Sequence, residues 1–350
     1  MNSVRVDASK SYEVLIGSNL LKNTGELVCN VIKPCKAAII TDDIVDSLYA
    51  SFVQNSLEQS GFDTCKYVFK NGECSKNIST FSSVLEFLAT NEISRSDVII
   101  ALGGGVVGDL AGFCASSYLR GIKFVQIPTT FLAAIDSSVG GKTGVNLKAG
   151  KNLAGAFWQP SLVICDYSTL DSLPEDVFAD GIAEAIKYGV ISSPKLFDTL
   201  LNGECKKNIE QIITQCVTIK RDIVNEDEFD LGTRQLLNFG HTIGHCIEKL
   251  SDFKITHGQA VAIGICVISK AAFKSNLCDY DCSPKIEQAL KANGLPTKCD
   301  FDAQTLFLVA VSDKKRTGNK ISLVIPKKIG ECTLFKIDID KLCDFINLGL

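Results

Sequence analysis

Short apolar runs alternate with segments of helical period through the first half of the chain, and few folds accept that alternation. VRVD and YEVLIG read as paired strands, and KAAIITDD, TCKYVFK, DVIIAL and KFVQIPTT as further strands. Helical spacing falls over residues 44–59 and 76–91, and over VVGDLAGFCASSYLR after a glycine-rich turn. Strands separated by helices imply a mainly parallel sheet covered on both faces. After Leu170 the pattern changes. FADGIAEAIKYGVI, KNIEQIITQCVTIKRDIVN, NFGHTIGHCIEKL and GQAVAIGICVISKAAF all carry helical period, and KISLVIPKKIG with ECTLFKID reads as a short strand pair. A chain of 350 residues exceeds the roughly 250–300 at which a single core stops growing. The expectation is therefore an α/β parallel-sheet domain over 1–170 and a mainly α-helical domain over 171–350. The boundary is placed around DYSTLDSLP, where Pro174 breaks the run.

The glycine-rich turn, Gly103-Gly104-Gly105-Val106-Val107-Gly108-Asp109, follows a strand and opens a helix. It satisfies G-x-G-x-x-G, in which glycine lets the backbone approach a pyrophosphate and the helix N-terminus offers free N–H groups. A Rossmann-like first domain is the expectation, although the loop by itself also fits a plain tight turn and does not belong to a standard first βαβ unit. The usual acid about 20 residues further on is missing, because no Asp or Glu lies between Leu110 and Ile135; Asp42, at the end of KAAIITDD, is the upstream candidate. GGKTG is not a nucleotide-triphosphate loop, since that frame needs glycine at position 136 and Asp136 is there. Lys142 reads instead as a lysine beside a ligand.

Only three histidines occur, His241, His245 and His257, all within one short stretch. His241 and His245 are four apart on a predicted helix and share a face. A catalytic zinc typically takes three protein ligands, for example two histidines and a carboxylate, and Glu184 or Glu248 is the candidate acid. Spacing alone nominates both His241 and His245. Lys142, Lys151, Lys187, Lys220 and Arg234 lie in or near these motifs. Lys151-Asn152 and Lys187 are embedded in apolar sequence, where an unpaired charge is costly, which favours a ligand or ion-pair role.

The net charge of −4 carries no basic surplus of the kind nucleic-acid or membrane-surface binders show, so an anionic substrate needs a local cluster of cations. The 15 cysteines are scattered with no CxxC pair; Cys278 and Cys282 are the nearest approach to one. That usage suits a reducing compartment where cysteine acts as a small hydrophobe. The first residues, MNSVRVDASKSYEVLIG, show no apolar signal-peptide core, and the most apolar stretch, Ala260–Ile268, is short of the roughly 20 residues of a membrane helix. A cytoplasmic location is expected.

The segments GGGVVGDLAGFCASSYLRG, IPTTFLAAIDSSVGGKTGVNLKAGKNLAGAFWQP, GIAEAIKYG, RQLLNFGHTIGH and HGQAVAIG, with a late DKK, occur in one order from about Asp42 to Lys320. Together they resemble the 3-dehydroquinate synthase family of sugar phosphate cyclases. The resemblance implies a homodimer and a carbon–oxygen lyase acting on a phosphorylated sugar acid. The substrate it implies is 3-deoxy-D-arabino-heptulosonate 7-phosphate, and the cofactors it implies are catalytic NAD and one divalent metal, zinc or cobalt. By position it implies metal ligands Glu184, His241 and His257, with His245 as an acid/base group, which departs from spacing alone. It implies an NAD site at Asp42, Glu73, Lys76, Gly104, Gly105, Asp109, Thr129, Thr130, Lys142 and Lys151. It further implies substrate and catalytic contacts at Asp136, Lys142, Asn152, Lys187, Lys220, Arg234, Asn238, His245 and Lys314, with Arg120 expected to reach the partner subunit's site. Gln259 stands where the family commonly has an acid, and is expected to alter the support of His257. Rivals are cyclases of other sugar phosphates, a polyol dehydrogenase of glycerol-dehydrogenase type and a non-catalytic relative.

Overall fold

The computed structural model describes residues 1–278, 280–312 and 319–350. They form two compact units: Met1–Leu173 with Lys220–Phe229, and Pro174–Ile219 with Asp230–Leu350. The sequence suggests one crossing near residue 170. The segment Lys220–Phe229 nevertheless belongs to the first unit, where Asn225 accepts from the Asp7 N–H at 3.0 Å and Glu228 accepts from the Ser9 N–H at 2.7 Å. Helical periodicity marks an apolar face but not the core it packs on.

The first unit is built on β1 (Asn2–Asp7), β2 (Ser11–Gly17), β3 (Lys36–Asp42), β4 (Asp63–Phe69), β5 (Val98–Gly103), β6 (Lys123–Pro128), β7 (Lys142–Leu147), β8 (Gly150–Phe157) and β9 (Leu162–Asp166). Seven of these form one sheet in the order β1-β2-β9-β6-β5-β3-β4. Only β1 and β2 pair antiparallel; every other neighbour is parallel. The inner strands are nearly continuous apolar runs because both faces are covered, and successive side chains feed two different cores. Ile39, Ile100 and Leu102 pack with Val53 and Leu57 of α1 (Ser51–Gln59). Ala38, Ile40, Ile99 and Ala101 pack with Val84 and Leu88 of α2 (Ile78–Thr90) and with Val107, Leu110 and Ala111 of α3 (Gly105–Ser117).

One local expectation needs correction, and one pair of strands was not anticipated. The stretch 44–59 is not one regular helix: a short turn at Asp43–Val45 and a π-type turn at Asp46–Ala50 precede α1. The glycine-rich stretch after Gly141 forms a strand pair, β7 against β8. Its Gly, Lys and Asn have low strand propensity, and cross-strand pairing supplies what local preference lacks.

The second unit contains α4 (Glu175–Ser192), α5 (Ile209–Glu226, of which it holds the residues through Ile219), α6 (His241–Leu250), α7 (His257–Lys274) and the antiparallel pair β10 (Lys320–Lys328) and β11 (Glu331–Asp338). Residues 181–191 of α4 are all buried, as is most of α7 from Ala260 to Ala272. Helices apolar on every side belong in the middle of a core. Helix α6 crosses α7 at very close range: a Cβ on Gly264 would lie 2.1 Å from the Gly240 carbonyl oxygen. Among the described residues no helix is long and apolar enough to cross a membrane. Gly264→Ala overpacks the crossing and is expected to cost about 1–3 kcal/mol. Urea unfolding of the variant measures this, and an unchanged midpoint would rule the close crossing out.

Candidate functional site

Each unit brings together one constellation of the chemically significant residues. In the first unit, the order β4-β3-β5-β6-β9 places connections from neighbouring strands on opposite sides of the β3/β5 boundary. Open parallel sheets bind ligands at the carboxyl ends of such a switch point. Asp42 ends β3 there, and Gly103 ends β5 with Gly104 as the N-cap of α3. No side chain caps α3, which leaves its first turn to offer N–H groups and partial positive charge. Thr129 lies alongside, its N–H on the Gly103 carbonyl at 3.0 Å. The Thr129 hydroxyl is buried with no hydrogen-bond partner among the described residues, a vacancy for a polar ligand group. Thr130 packs its methyl toward Gly104 and caps the following turn, accepting from the Ala133 N–H at 3.3 Å.

Charged side chains on this rim are tied to one another. The Lys76 ammonium donates to Asp109 at 2.9 Å and lies 3.4 Å from Glu73. Burial alone would lower the Lys76 pKa, but Asp109 and Glu73 outweigh it and raise it. Burial raises the Asp109 carboxyl against the opposing pull of Lys76. Asp42 spends Oδ1 on the N–H groups of Ile44 and Val45, at 3.1 and 3.0 Å. Lys220 is buried and held by both the carbonyl and the carboxylate of Asp136, so these two expected substrate contacts are partners of each other. The burial argument for Lys151 and Asn152 fails: β8 is a largely open strand, Lys151 is half-buried, Asn152 is exposed, and so is Lys142 on β7. Arg120 is also exposed, in left-handed backbone (φ 67°).

Sequence reasoning passed over Asn146. Its side-chain amide donates to Glu73 at 2.7 Å and accepts from the Asn152 N–H at 2.9 Å, while its own N–H donates to the Lys76 carbonyl at 2.8 Å. One asparagine thus ties together the turn carrying Glu73 and Lys76 and the left-handed Asn152 (φ 54°). The only signal was a polar residue in a strand that had itself been missed.

In the second unit, Glu184 of α4 is 0 % exposed and Lys187, one turn on, is 1 % exposed with its ammonium on Glu184 Oε2. The other oxygen, Oε1, faces His241 Nε2 at 3.5 Å and His257 Nε2 at 3.4 Å. The far nitrogens of both rings are occupied: His241 Nδ1 lies 3.2 Å from the Phe239 carbonyl and His257 Nδ1 3.4 Å from Glu248. A carbonyl only accepts, so His241 carries its hydrogen on Nδ1 and turns the Nε2 lone pair toward Glu184. Burial, then the Lys187 ammonium, holds His241 well below its ordinary pKa. Burial would lower His257 as well, but hydrogen bonds to Glu184 and Glu248 outweigh it and push it up to about 10. The cluster thus calls for a positive charge among these three side chains.

That donor set suits a divalent cation. Nitrogen and oxygen ligands about 2.0–2.1 Å from zinc in a tetrahedron stand about 3.3 Å apart, close to the spacings here. Outer hydrogen bonds to the far ring nitrogens are the usual support of ligating histidines. Among the described residues, a second group, His245, Glu248 and His257, also brings its ligand atoms within 4.8 Å. It uses the same His257, whose Nδ1 lies 3.4 Å from Glu248 as its Nε2 lies 3.4 Å from Glu184. His241 and His245, paired by spacing, stand edge to face with centroids 5.4 Å apart and share neither group. Arg234 is buried, Asn238 half-buried, and Lys314 lies outside the described residues. Gln259 does not touch the His257 ring among the contacts seen; its Oε1 accepts from the Thr256 N–H at 3.2 Å and closes a capping box on α7. An amide does this as an acid would.

The chain matches the family models for the 3-dehydroquinate synthase N-terminal region over residues 66–180 and its C-terminal region over 181–316. It is 45% identical to a 3-dehydroquinate synthase of Streptococcus suis (strain 05ZYH33) over 96% of this chain and 97% of that one. The structure of 2-deoxy-scyllo-inosose synthase complexed with carbaglucose-6-phosphate, NAD+ and Co2+ superposes with a TM-score of 0.90 at 26% identity, over all of both chains. A probable glycerol dehydrogenase from Sinorhizobium meliloti 1021 shares the fold, with a TM-score of 0.64 at 15% identity over 96% of each chain. Asp109→Asn removes the closest partner of a buried ammonium; breaking such a pair typically costs on the order of 3 kcal/mol. Thermal or urea unfolding reads that loss, and a variant as stable as the parent would mean Lys76 is held by other groups.

Proposed function

The chain belongs to the 3-dehydroquinate synthase family, and from that premise we propose that it converts 3-deoxy-D-arabino-heptulosonate 7-phosphate into 3-dehydroquinate and phosphate, with NAD and one divalent metal as cofactors. The observation that carries the chemistry is the pair of imidazole nitrogens, at 3.4 and 3.5 Å, on one oxygen of the buried Glu184 carboxylate. When bound, NAD supplies a hydride acceptor that is regenerated within the turnover, and the cation a Lewis acid.

The protein's own side chains supply position and charge. Glu184, His241 and His257 hold the cation. Gly104, Gly105 and Thr129 receive the dinucleotide at the switch point, and Asp42, Glu73, Lys76, Asp109, Thr130, Lys142 and Lys151 orient it. Lys76 does so as a charge already fixed by Asp109, so no reorganisation is needed at the moment of reaction. Lys187 and Arg234 place buried positive charge for the phosphate and carboxylate of the substrate, with Asn152, Asn238 and Lys314 as further donors. Lys220 arrives locked to Asp136. His245, one helical turn from His241, takes and returns a proton at its ring. Such fixed orientation supplies roughly 7–11 kcal/mol toward a barrier in well-aligned systems.

The chain acts as a homodimer in the cytoplasm, with Arg120 directed to the partner's site. All 15 cysteines are free, and burial pushes thiols such as Cys165 and Cys266 up to about 12. Those buried thiols are packing groups of low reactivity.

Purified protein given the sugar acid, catalytic NAD and zinc is expected to release phosphate and dehydroquinate in equal amounts with no lasting rise at 340 nm. Absence of phosphate, preference for another sugar phosphate, or stoichiometric NADH from glycerol would each replace this function. Metal analysis separates the imidazoles: His257→Ala and Glu184→Gln are expected to lose bound zinc and turnover, whereas His245→Ala keeps zinc and loses turnover. Equal metal loss in His245→Ala and His257→Ala would move the cation to the other group.

A further inference from the structure

One turn before Glu184 on α4, Asp180 grips the start of α7 on both sides of His257. Its Oδ1 accepts from the Thr256 hydroxyl and from the Gly258 N–H, the latter at 3.0 Å. Thr256 is the N-cap of α7, and the same hydroxyl accepts from the Gln259 N–H at 3.4 Å. The two backbones meet at contact distance here: a Cβ on residue 258 would lie 2.3 Å from the Asp180 Cα, so only glycine fits.

We propose that Asp180 is a positioning residue that sets His257 against Glu184, so that α4 carries both the carboxylate of the metal cluster and the backbone anchor of its second imidazole, whose far ring nitrogen is held by Glu248 of α6. Residues four apart lie on one helical face, separated by about 6 Å of rise. The face that offers Glu184 to the cluster therefore also carries the anchor for the backbone on either side of His257. The carboxylate further suits the partial positive charge of the α7 N-terminus. The far nitrogen of His241 is instead held locally, by the Phe239 carbonyl two residues before it. The hydrogen bonds of Asp180 go to Thr256 and Gly258 on either side of His257, so it acts through the N-terminus of α7.

The inference rests on the assignment of Glu184, His241 and His257 as metal ligands, and one set of titrations tests both. Co2+ is titrated against a chelator into the full-length protein, and its affinity and visible absorption spectrum are recorded for the parent, Asp180→Ala, Asp180→Asn, Asp180→Glu and His257→Ala. Loss of outer support for a ligating histidine typically costs roughly 10–100-fold in affinity. Asp180→Ala is expected to fall in that range with a shifted spectrum. Asp180→Glu keeps the charge but displaces it by one methylene, and is expected to weaken binding too. Asp180→Asn retains the accepting oxygen and is expected to recover most of the affinity. A folded Ala or Glu variant with the parent's affinity and spectrum overturns the proposal, as does an Asn variant no better than Ala. A parent that binds no Co2+, or a His257→Ala that binds it as well as the parent, overturns the metal assignment itself.

Discussion

A carboxylate with no exposed surface, on a helix buried all round, keeps its charge only if positive groups come to it. Glu184 is in that position, and the middle of the second unit is arranged around it. Lys187 takes one oxygen and two imidazoles take the other. Removing a carboxylate of this kind leaves a buried ammonium uncompensated, and removing the cations leaves the carboxylate so. The cluster is therefore a single unit of charge balance.

The helices meet this demand through small residues. Gly264 lets α7 pass the Gly240 backbone, and Gly258 lets its first turn touch α4. His241 and His257 each stand at the first residue of a helix, where side chains project beyond the packed cylinder and can converge. The far nitrogens are then fixed by a carbonyl on one ring and a carboxylate on the other, so the two rings contribute one neutral and one readily protonated group.

The first unit solves a different problem. Its parallel sheet buries strand after strand on both faces, and the reversal of strand order between β3 and β5 opens a place where a backbone-lined ligand site forms. Its rim carries many charges, yet they are neutralised locally: Lys76 by Asp109 and Glu73, Lys220 by Asp136. Asn146 belongs to the same network, but nothing in its own sequence neighbourhood distinguishes it from a turn asparagine.

Much of this was legible in the sequence. Alternating apolar runs announced the parallel sheet, helical period announced the second half, and the crowding of all three histidines marked where a cation could sit. These are local properties, and local patterns report which face of a segment is apolar and which backbone turns are permitted. What the sequence left open was partnership across long separations. Spacing joined His241 to His245, whereas folding joins His241 to His257 and to a glutamate 57 positions earlier. Apolar flanks suggested that Lys151 and Lys187 were alike, yet one lies on an open strand and the other inside a core. The helical period of Ile209–Glu226 could not say that its last residues pack with the first unit. Those decisions belong to tertiary structure, because a buried charge is satisfied by whichever group the packing brings within a few ångströms, and the order of residues along the chain does not encode that distance.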